Sequence, residues 1–459
     1  MKKRLAALVL AVLALAAPPA ARADGIPPGL RAEANAALQK AAAWLAARQQ
    51  EDGHWSNPDT PALTALAFWA LHDADAAAYA PAIDRALAHL LRFVRPDGSI
   101  FQPPTPERRG GGLANYNTAV CMMAIHALGR SDLVPVVQRA RTFVAATQNL
   151  GESEYRGGMG YDPHSPRGDY ADLSNSYMSY EAMRATQSVE DLRAEGDPKA
   201  DLDWDAVQQF LAQVQNLPSV NPHPWAGADP DDLGGFVYTP NAGGTPAPRG
   251  PRPPEARRPV PPPEDWPDPV PESPRPPRRP APRPDFQPDF RPGSAGGDAS
   301  APAPALAPPP AEAPAAAVPA AAPGIRLQSF GSMTYAGLLS LVYANVSRDD
   351  PRVTSAWDWA RNHWTLSENP GKGPEGLFYF YNILVKCLDV FGDETIALPD
   401  GTRIPWRQDV LRQFLSLQQE DGSWFNAANR FWEGDPVLVT SYMILSIRRA
   451  LGPDTPAAE

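Results

Sequence analysis

The sequence predicts an all-α protein, an (α/α)6 toroid in which six inner helices form a closed ring and six outer helices wall it. Two observations predict this fold. Most of the chain divides into six units, each with a helix, a loop holding glycine and aromatic residues, and a second helix. The first helix of each unit has an apolar stripe and a polar face, whereas the second is apolar nearly all round. A helix without a polar face is buried on all sides, so the second helices belong inside the ring.

The six units follow one another along the chain, and the helical spacing of their apolar residues is clearest in units one and six. In unit six, for example, Val410, Phe414 and Leu417 share one face of the first helix. The paired segments are 37–50 with 60–72, 82–94 with 115–128, 136–148 with 173–185, 203–215 with 332–344, 352–364 with 380–392, and 407–419 with 438–450.

Units one and six share nearly the same turn, QQEDGHW at 49–55 and QQEDGSW at 418–424. Asp-Gly reverses the chain, with glycine in a left-handed conformation. The glutamine can satisfy free backbone groups at the helix end, and the tryptophan can pack between neighbouring hairpins. These two units become neighbours when a ring of six closes.

Composition divides the chain further. Residues 1–23 have a basic start, an apolar run and a small-x-small cleavage site, which predicts a signal peptide and an exported, periplasmic or extracellular bacterial protein. Residues 241–324 hold 28 of the 56 prolines, which predicts a disordered Pro/Ala/Arg-rich insertion. The toroid then comprises 24–240, hairpins 1–3 and the outer helix of hairpin 4, and 325–459, the rest of the ring.

Charge and composition also limit the partners. The net charge of −11 argues against a nucleic-acid partner. No run after the N-terminal segment is long and apolar enough to span a bilayer, so an integral membrane protein is not predicted. The proline-rich insertion is either a plain solvated segment or a docking site for another protein.

The Q-x-x-D-G-x-W turns and the six hairpins resemble the terpenoid cyclase/protein prenyltransferase α/α-toroid superfamily. This group includes squalene and hopene cyclases, the β-subunits of protein prenyltransferases and the thioester domains of complement-like proteins. The sequence is most similar to its prenyltransferase/squalene-oxidase repeat proteins. The resemblance implies the toroid fold over nearly all of the chain outside the insertion, but the group hosts unrelated activities.

The motifs of this superfamily are largely missing. The cyclase motif D-x-D-D-T-A has a partial counterpart, DPDD at 229–232, but it lies in a loop on the wrong side of its turn and reads equally as a solvated acidic turn. The prenyltransferase zinc ligands are absent, because neither Cys121 nor Cys387 has an aspartate two residues before it. Both cysteines fall in inner helices on opposite sides of the ring. We therefore predict neither a metal nor a cofactor.

The first turns of the inner helices line the expected central cavity and are rich in tyrosine and small polar groups. Helix N-termini that converge there give a positive potential, and an aromatic cavity with polar groups is a common ligand site. The alternative is that these residues only cap helices and fill the ring. The predicted ligand-binding residues are Tyr116, Asn117, Asn175, Tyr177, Tyr335, Tyr379, Tyr381 and Tyr442.

Two carboxyl groups near the cavity mouth, Glu433 and Asp172, are the candidate acid and base, with solvated loop charges as the alternative. Three functions remain open. The first is a protein that binds a hydrophobic small molecule or a peptide. The second is an isoprenoid cyclase-type enzyme with a non-standard acid, and the third is a glycan-active enzyme with paired carboxylates. The missing motifs favour the first and leave open whether the protein is an enzyme.

Overall fold

The computed structural model describes residues 25–104, 112–163, 170–241 and 327–452. The predicted signal peptide lies outside the described residues, and so does the predicted insertion 241–324 apart from Asn241.

Twelve α-helices within the described residues alternate between an outer and an inner layer. The outer helices are α1 (Pro28–Ala46), α3 (Ala80–Leu91), α5 (Val134–Ala146), α7 (Trp204–Val214), α9 (Pro351–Asn362) and α11 (Trp406–Leu417). The inner helices are α2 (Pro61–Asp75), α4 (Ala114–Ala127), α6 (Leu173–Ala185), α8 (Gly331–Tyr343), α10 (Leu377–Phe391) and α12 (Pro436–Leu451).

The inner helices form the predicted closed ring. Each packs against the next in chain order, and α12 packs against α2. The outer helices lie against this ring: α1 contacts both α12 and α2, and α11 contacts both α12 and α1. The prediction of an (α/α)6 toroid is therefore confirmed. In α8, for example, the run from Gly331 to Leu341 is buried without interruption.

Short elements complete the described structure. Strands β1 (Ile396–Ala397) and β2 (Arg403–Ile404) form an antiparallel pair between α10 and α11, with Ile396 opposite Ile404. Single 3₁₀ turns occur at Ser131–Leu133, Gln187–Leu192, Pro230–Asp232 and Arg430–Trp432. Among the described helices, none is both long and apolar enough to cross a membrane.

A glycine with positive φ docks each turn, except that of hairpin five, onto the next outer helix. Gly53 (φ +95) lies on α3, where a Cβ would come within 2.3 Å of the Arg85 carbonyl oxygen. Gly422 (φ +98) lies on α1, where a Cβ would be 2.8 Å from Lys40. The glutamine of each heptad spans the same junction: Gln49 donates to the Ala82 carbonyl (2.7 Å), and Gln418 donates to that of Ala37 (3.0 Å).

The tryptophans of the two heptads are fully buried. The indole N–H of Trp55 donates to the Leu45 carbonyl (2.7 Å), and that of Trp424 to the Phe414 carbonyl (2.9 Å). Each tryptophan therefore fastens its turn to the end of its own outer helix, which the sequence did not specify.

A hydroxyl near the start of each inner helix anchors the preceding turn. In hairpin one the Trp55 N–H donates to Oγ1 of Thr64 (3.3 Å). The same contact recurs at the other anchors Thr118, Ser176, Thr334 and Thr440. In hairpin five a tyrosine takes over, because the Tyr381 hydroxyl donates to the Leu366 carbonyl of its turn. The recurring Thr or Ser therefore has a structural role.

Candidate functional site

A cavity opens where the inner helices begin. Residues at the starts of all six inner helices line it, so these helices point the same way around the ring. About 850 Å³ of empty space lies within it, a figure that includes solvent at its open mouth. The lining comprises Thr60, Leu63, Leu113, Tyr116, Tyr161, Ser174, Tyr238, Phe330, Ser332, Met333, Gly376, Tyr379, Phe431, Trp432, Leu438 and Tyr442.

The tyrosine hydroxyls of this wall are largely paired with one another. Tyr161 and Tyr238 lie with their hydroxyl oxygens 3.2 Å apart. Tyr379 shares a 2.8 Å hydrogen bond with the Ser174 hydroxyl. The pairing leaves ring faces and aliphatic carbons as most of the surface that a ligand would meet.

Three of the eight predicted ligand-binding residues line the cavity: Tyr116, Tyr379 and Tyr442. The anchoring hydroxyls explain this selection. Tyr116 stands two residues before its anchor Thr118, and Tyr442 stands two residues after Thr440. These two positions differ by four residues, so they share one helix face. Tyr379 likewise precedes Tyr381, the anchor of hairpin five.

The structure places the other three predicted tyrosines away from the cavity wall. Tyr381 packs on Phe414 of the outer helix α11, with ring centroids 5.0 Å apart. Tyr335 lies against Phe380 (5.9 Å). Tyr177 stacks on Tyr343 (6.5 Å). Two of these follow their anchors by one residue and the third is itself an anchor, so their positions around the helix differ from those of the three wall tyrosines.

The two predicted asparagines also lie outside the wall and join backbone segments. The Asn117 side chain accepts from the Ala62 N–H and donates to the Gly112 carbonyl, both at 3.0 Å. The Asn175 amide donates to both carboxylate oxygens of Asp172 (3.0 and 2.8 Å). Both residues therefore fix the positions of helix starts.

Asp172 is fully buried and caps α6. Its Oδ1 accepts the backbone N–H of Asn175 at 2.8 Å. Burial raises the pKa of the carboxyl to about 6, against opposing interactions with Asn175, Tyr238 and Tyr170. Asp172 does not line the cavity, but the neighbouring Tyr238 does. It is therefore an acid placed one side chain behind the wall.

Glu433 is also fully buried and caps a helix from a distance. Helix α10 follows the left-handed Gly376 and has no side-chain cap of its own. Glu433 accepts from the Tyr379 N–H (2.6 Å) and from the Asn426 amide (2.7 Å). Burial raises its pKa to about 7, and the hydrogen bonds at the start of α10 oppose that shift. The Glu433 carboxyl is thus hydrogen-bonded to the start of α10 and does not line the cavity.

Tyr161, Tyr238, Phe431 and Trp432 are wall residues that the sequence analysis missed. All four lie outside the α-helices, two of them in the 3₁₀ turn Arg430–Trp432, so no α-helical period indicates a direction. Phe431 (φ +57) and Trp432 (φ +68) adopt the left-handed conformation, which costs about 1–2 kcal/mol per non-glycine residue. The only sequence signal is the aromatic pair itself, FW, beside the candidate acid Glu433.

The remaining candidates are accounted for elsewhere in the ring. Asp232 of the DPDD segment accepts from the Ser329 N–H (2.8 Å) and the Trp359 indole (3.3 Å) at the outer layer. Cys121 and Cys387 are free and buried, and burial raises the pKa of both thiols. None of the described residues that line the cavity carries a carboxyl group or a thiol.

Fold and site together define an α/α toroid with an aromatic cavity at one end of its inner ring. Two solved structures of a type II terpene cyclase from Scytonema, MstE, are similar to this chain. The complex of a variant with its substrate geranylgeranyl dihydroxybenzoate has a TM-score of 0.45 and 11% identity, and covers 92% of this chain and 98% of that chain. The apo enzyme has a TM-score of 0.43 and 12% identity, and covers 91% and 99%. No protein-family model and no curated protein matches the sequence.

Proposed function

We propose that the protein binds an apolar small molecule in the cavity at the N-terminal ends of its inner helices. The observation that carries this proposal is the composition of the wall. Sixteen residues from all six hairpins contribute, most of them aromatic or aliphatic, and none carries a charge. Burial of apolar surface is worth about 25 cal/mol per Å², so an elongated hydrocarbon gains most from such a site.

A polar end group would also find partners. The hydroxyls of Tyr379 and Ser174, and those of Tyr161 and Tyr238, can exchange one of their mutual bonds for a ligand hydroxyl. The helix N-termini favour electron-rich groups. A prenyl alcohol such as farnesol or geranylgeraniol combines both features. A peptide would bring backbone groups that this largely apolar wall cannot satisfy.

The test uses the full chain, titrated with farnesol or geranylgeraniol while tryptophan emission is recorded. Trp432 lies in the wall and reports occupancy. Leu438→Trp fills the cavity, and Leu150→Trp is the matched control, because Leu150 is 49% exposed and outside the wall. We expect saturable binding to the wild type and to Leu150→Trp, and binding at least tenfold weaker to Leu438→Trp. Thermal melting of each variant confirms folding.

Equal responses of all three proteins would mean adsorption to the outer surface and would contradict the proposal. The absence of saturation in the wild type would contradict it as well.

Asp172 supports a second candidate function, an isoprenoid cyclase-type enzyme. Its pKa of about 6, above the ordinary range, leaves roughly one carboxyl in ten protonated at pH 7. Tyr238 connects it to the cavity, because its hydroxyl interacts with Asp172 on one side and lies 3.2 Å from that of Tyr161 on the other. An alkene held against the wall could then take the hydroxyl proton of Tyr238 while Asp172 replaces that proton, which leaves the carboxyl ionised and a carbocation in the cavity. The glycan-active alternative has no comparable support, because no carboxylate pair lies in the described wall.

A further inference from the structure

Two histidines and an aspartate meet at the outer rim of the ring, away from the aromatic cavity. Asp52 and His54 belong to the first heptad turn, and His89 lies on α3 of the next hairpin. His54 Nδ1 contacts Asp52 Oδ1, and His89 Nδ1 lies 3.4 Å from Asp52 Oδ2. One ligand atom from each residue lies within 4.8 Å of the other two.

The second heptad shows that this meeting is specific to hairpin one. At 418–424 the equivalent Asp421 accepts from the Ser423 hydroxyl (2.7 Å) and from the Trp44 indole N–H (2.7 Å). Trp44 and His89 hold equivalent positions at the two junctions. Trp44 stands four residues after Lys40, on which Gly422 packs, and His89 stands four residues after Arg85, on which Gly53 packs. At the junction of hairpin one, the imidazoles of His54 and His89 therefore take the places that the Ser423 hydroxyl and the Trp44 indole hold around the other turn aspartate.

The lone pair of His89 already faces a cation. Its Nε2 lies 3.4 Å from the Pro58 carbonyl, which assigns the ring proton to that nitrogen and the lone pair to Nδ1. The Arg92 guanidinium contacts this Nδ1 and lies 3.4 Å from Asp52 Oδ2. Its side chain is 57% exposed, so it can turn out into solvent. The guanidinium therefore stands where a metal ion would bind both partners.

We propose that Asp52, His54 and His89 bind a divalent transition-metal ion of the Zn²⁺ or Co²⁺ type, in competition with the Arg92 side chain. Two imidazoles and one carboxylate suit these ions and disfavour Mg²⁺ and Ca²⁺. A tetrahedral ion with bonds of about 2.0–2.2 Å holds its ligand atoms roughly 3.3–3.6 Å apart. The 3.4 Å between His89 Nδ1 and Asp52 Oδ2 already meets this requirement. Small side-chain rotations bring the His54 nitrogen to the same distance. Such an ion would cross-link the first turn to α3.

The experiment titrates Co²⁺ and Zn²⁺ into the full chain, prepared without a histidine tag and stripped with a chelator. Co²⁺ is followed by its visible absorption, and Zn²⁺ by calorimetry. His54→Ser recreates at 49–55 the sequence that the protein already uses at 418–424, so its fold is expected to be retained. Ser423→His is the matched control, because it places the same heptad at a junction that offers Trp44 in place of a second histidine.

We expect one Co²⁺ per wild-type chain, with imidazole-type visible bands, and at least tenfold weaker binding to His54→Ser. Ser423→His should bind no additional ion. Arg92→Gln should bind several-fold more tightly than the wild type, because the competing cation is gone. Equal binding by the wild type and His54→Ser would place the ion on other histidines and overturn the proposal. So would a wild type that binds no ion, or an Arg92→Gln variant without a gain.

Discussion

At the scale of single residues, the two candidate acids combine structural and chemical roles. Asp172 and Glu433 each cap a helix that points its N-terminus at the cavity, and both are fully buried. Burial disfavours the charged form, whereas the helix start and the hydrogen bonds favour it. The result is two carboxyls whose pKa values, about 6 and about 7, lie above the ordinary range. Such values also make the fold sensitive to pH.

Asp172→Asn isolates the contribution of Asp172 to this pH dependence. The folded pKa of about 6 exceeds the ordinary 3.8, so the contribution is complete below about pH 4 and is lost as the pH rises through 6. A difference of about 2 pKa units corresponds to roughly 3 kcal/mol. About 1 kcal/mol of this is already lost at pH 4.5, so we expect the wild type to lose about 2 kcal/mol of unfolding free energy, relative to Asp172→Asn, between pH 4.5 and pH 8. Urea unfolding at both pH values measures this.

The substitution is mild because the Asn175 side-chain oxygen has no hydrogen-bond partner among the described residues. A flip of that amide lets it accept from the new side chain, and the cap to the Asn175 backbone is retained. The raised pKa of Glu433 is common to both proteins and cancels in the comparison. A stability difference that stays constant between the two pH values would show that Asp172 titrates normally.

At the scale of elements, the inner helices show what the sequence predicts and where prediction stops. Their apolar character placed all six in the inner layer, and the six turns gave their number and order. Which side chain enters the cavity depends on helix rotation, where one residue changes the direction by about 100°. Tyr116 and Tyr177 both lie near the starts of their inner helices, yet only Tyr116 lines the cavity. The recurring Thr and Ser could have supplied this register, because they anchor the same point of each turn.

Contacts between distant segments were beyond prediction for a different reason. Glu433 caps α10 from 54 residues away, and His54 meets His89 across 35 positions of sequence. Neither pair forms a local motif such as H-x-x-x-H. The one available signal for the histidine pair was the change from serine to histidine between the two heptads. It becomes informative only when the junction in which each heptad lies is known.

At the scale of the whole molecule, the ring closes through the same contact that joins its successive hairpins. The turn of hairpin six lies on α1 as the turn of hairpin one lies on α3, each through a glycine with positive φ and a glutamine. The junction that closes the ring, between hairpin six and α1, is therefore equivalent to the junction between hairpin one and α3. Since the cavity wall takes residues from all six hairpins, loss of any junction disturbs the site.

Alanine substitutions at glycines can measure the strength of these junctions. Gly53, Gly422 and Gly196 all have φ between +94 and +98, so each alanine variant bears a similar backbone strain of about 1–2 kcal/mol. They differ in what a Cβ would meet. At Gly53 it would be 2.3 Å from the Arg85 carbonyl oxygen. At Gly422 it would be 2.8 Å from Lys40 Cγ and 3.0 Å from the Lys40 carbonyl oxygen, and at Gly196 it would meet nothing within 4 Å.

We therefore expect Gly53→Ala to be the most destabilising and Gly196→Ala the least, with Gly422→Ala between them. A forced backbone shift adds about 1–3 kcal/mol, so Gly53→Ala should lower the free energy of unfolding by roughly 3–4 kcal/mol and Gly196→Ala by only about 1–2 kcal/mol. Urea unfolding of the three variants gives these values. If Gly53→Ala and Gly196→Ala lost the same stability, the turn would not be docked tightly on α3, and the ring would be held by its inner helices alone.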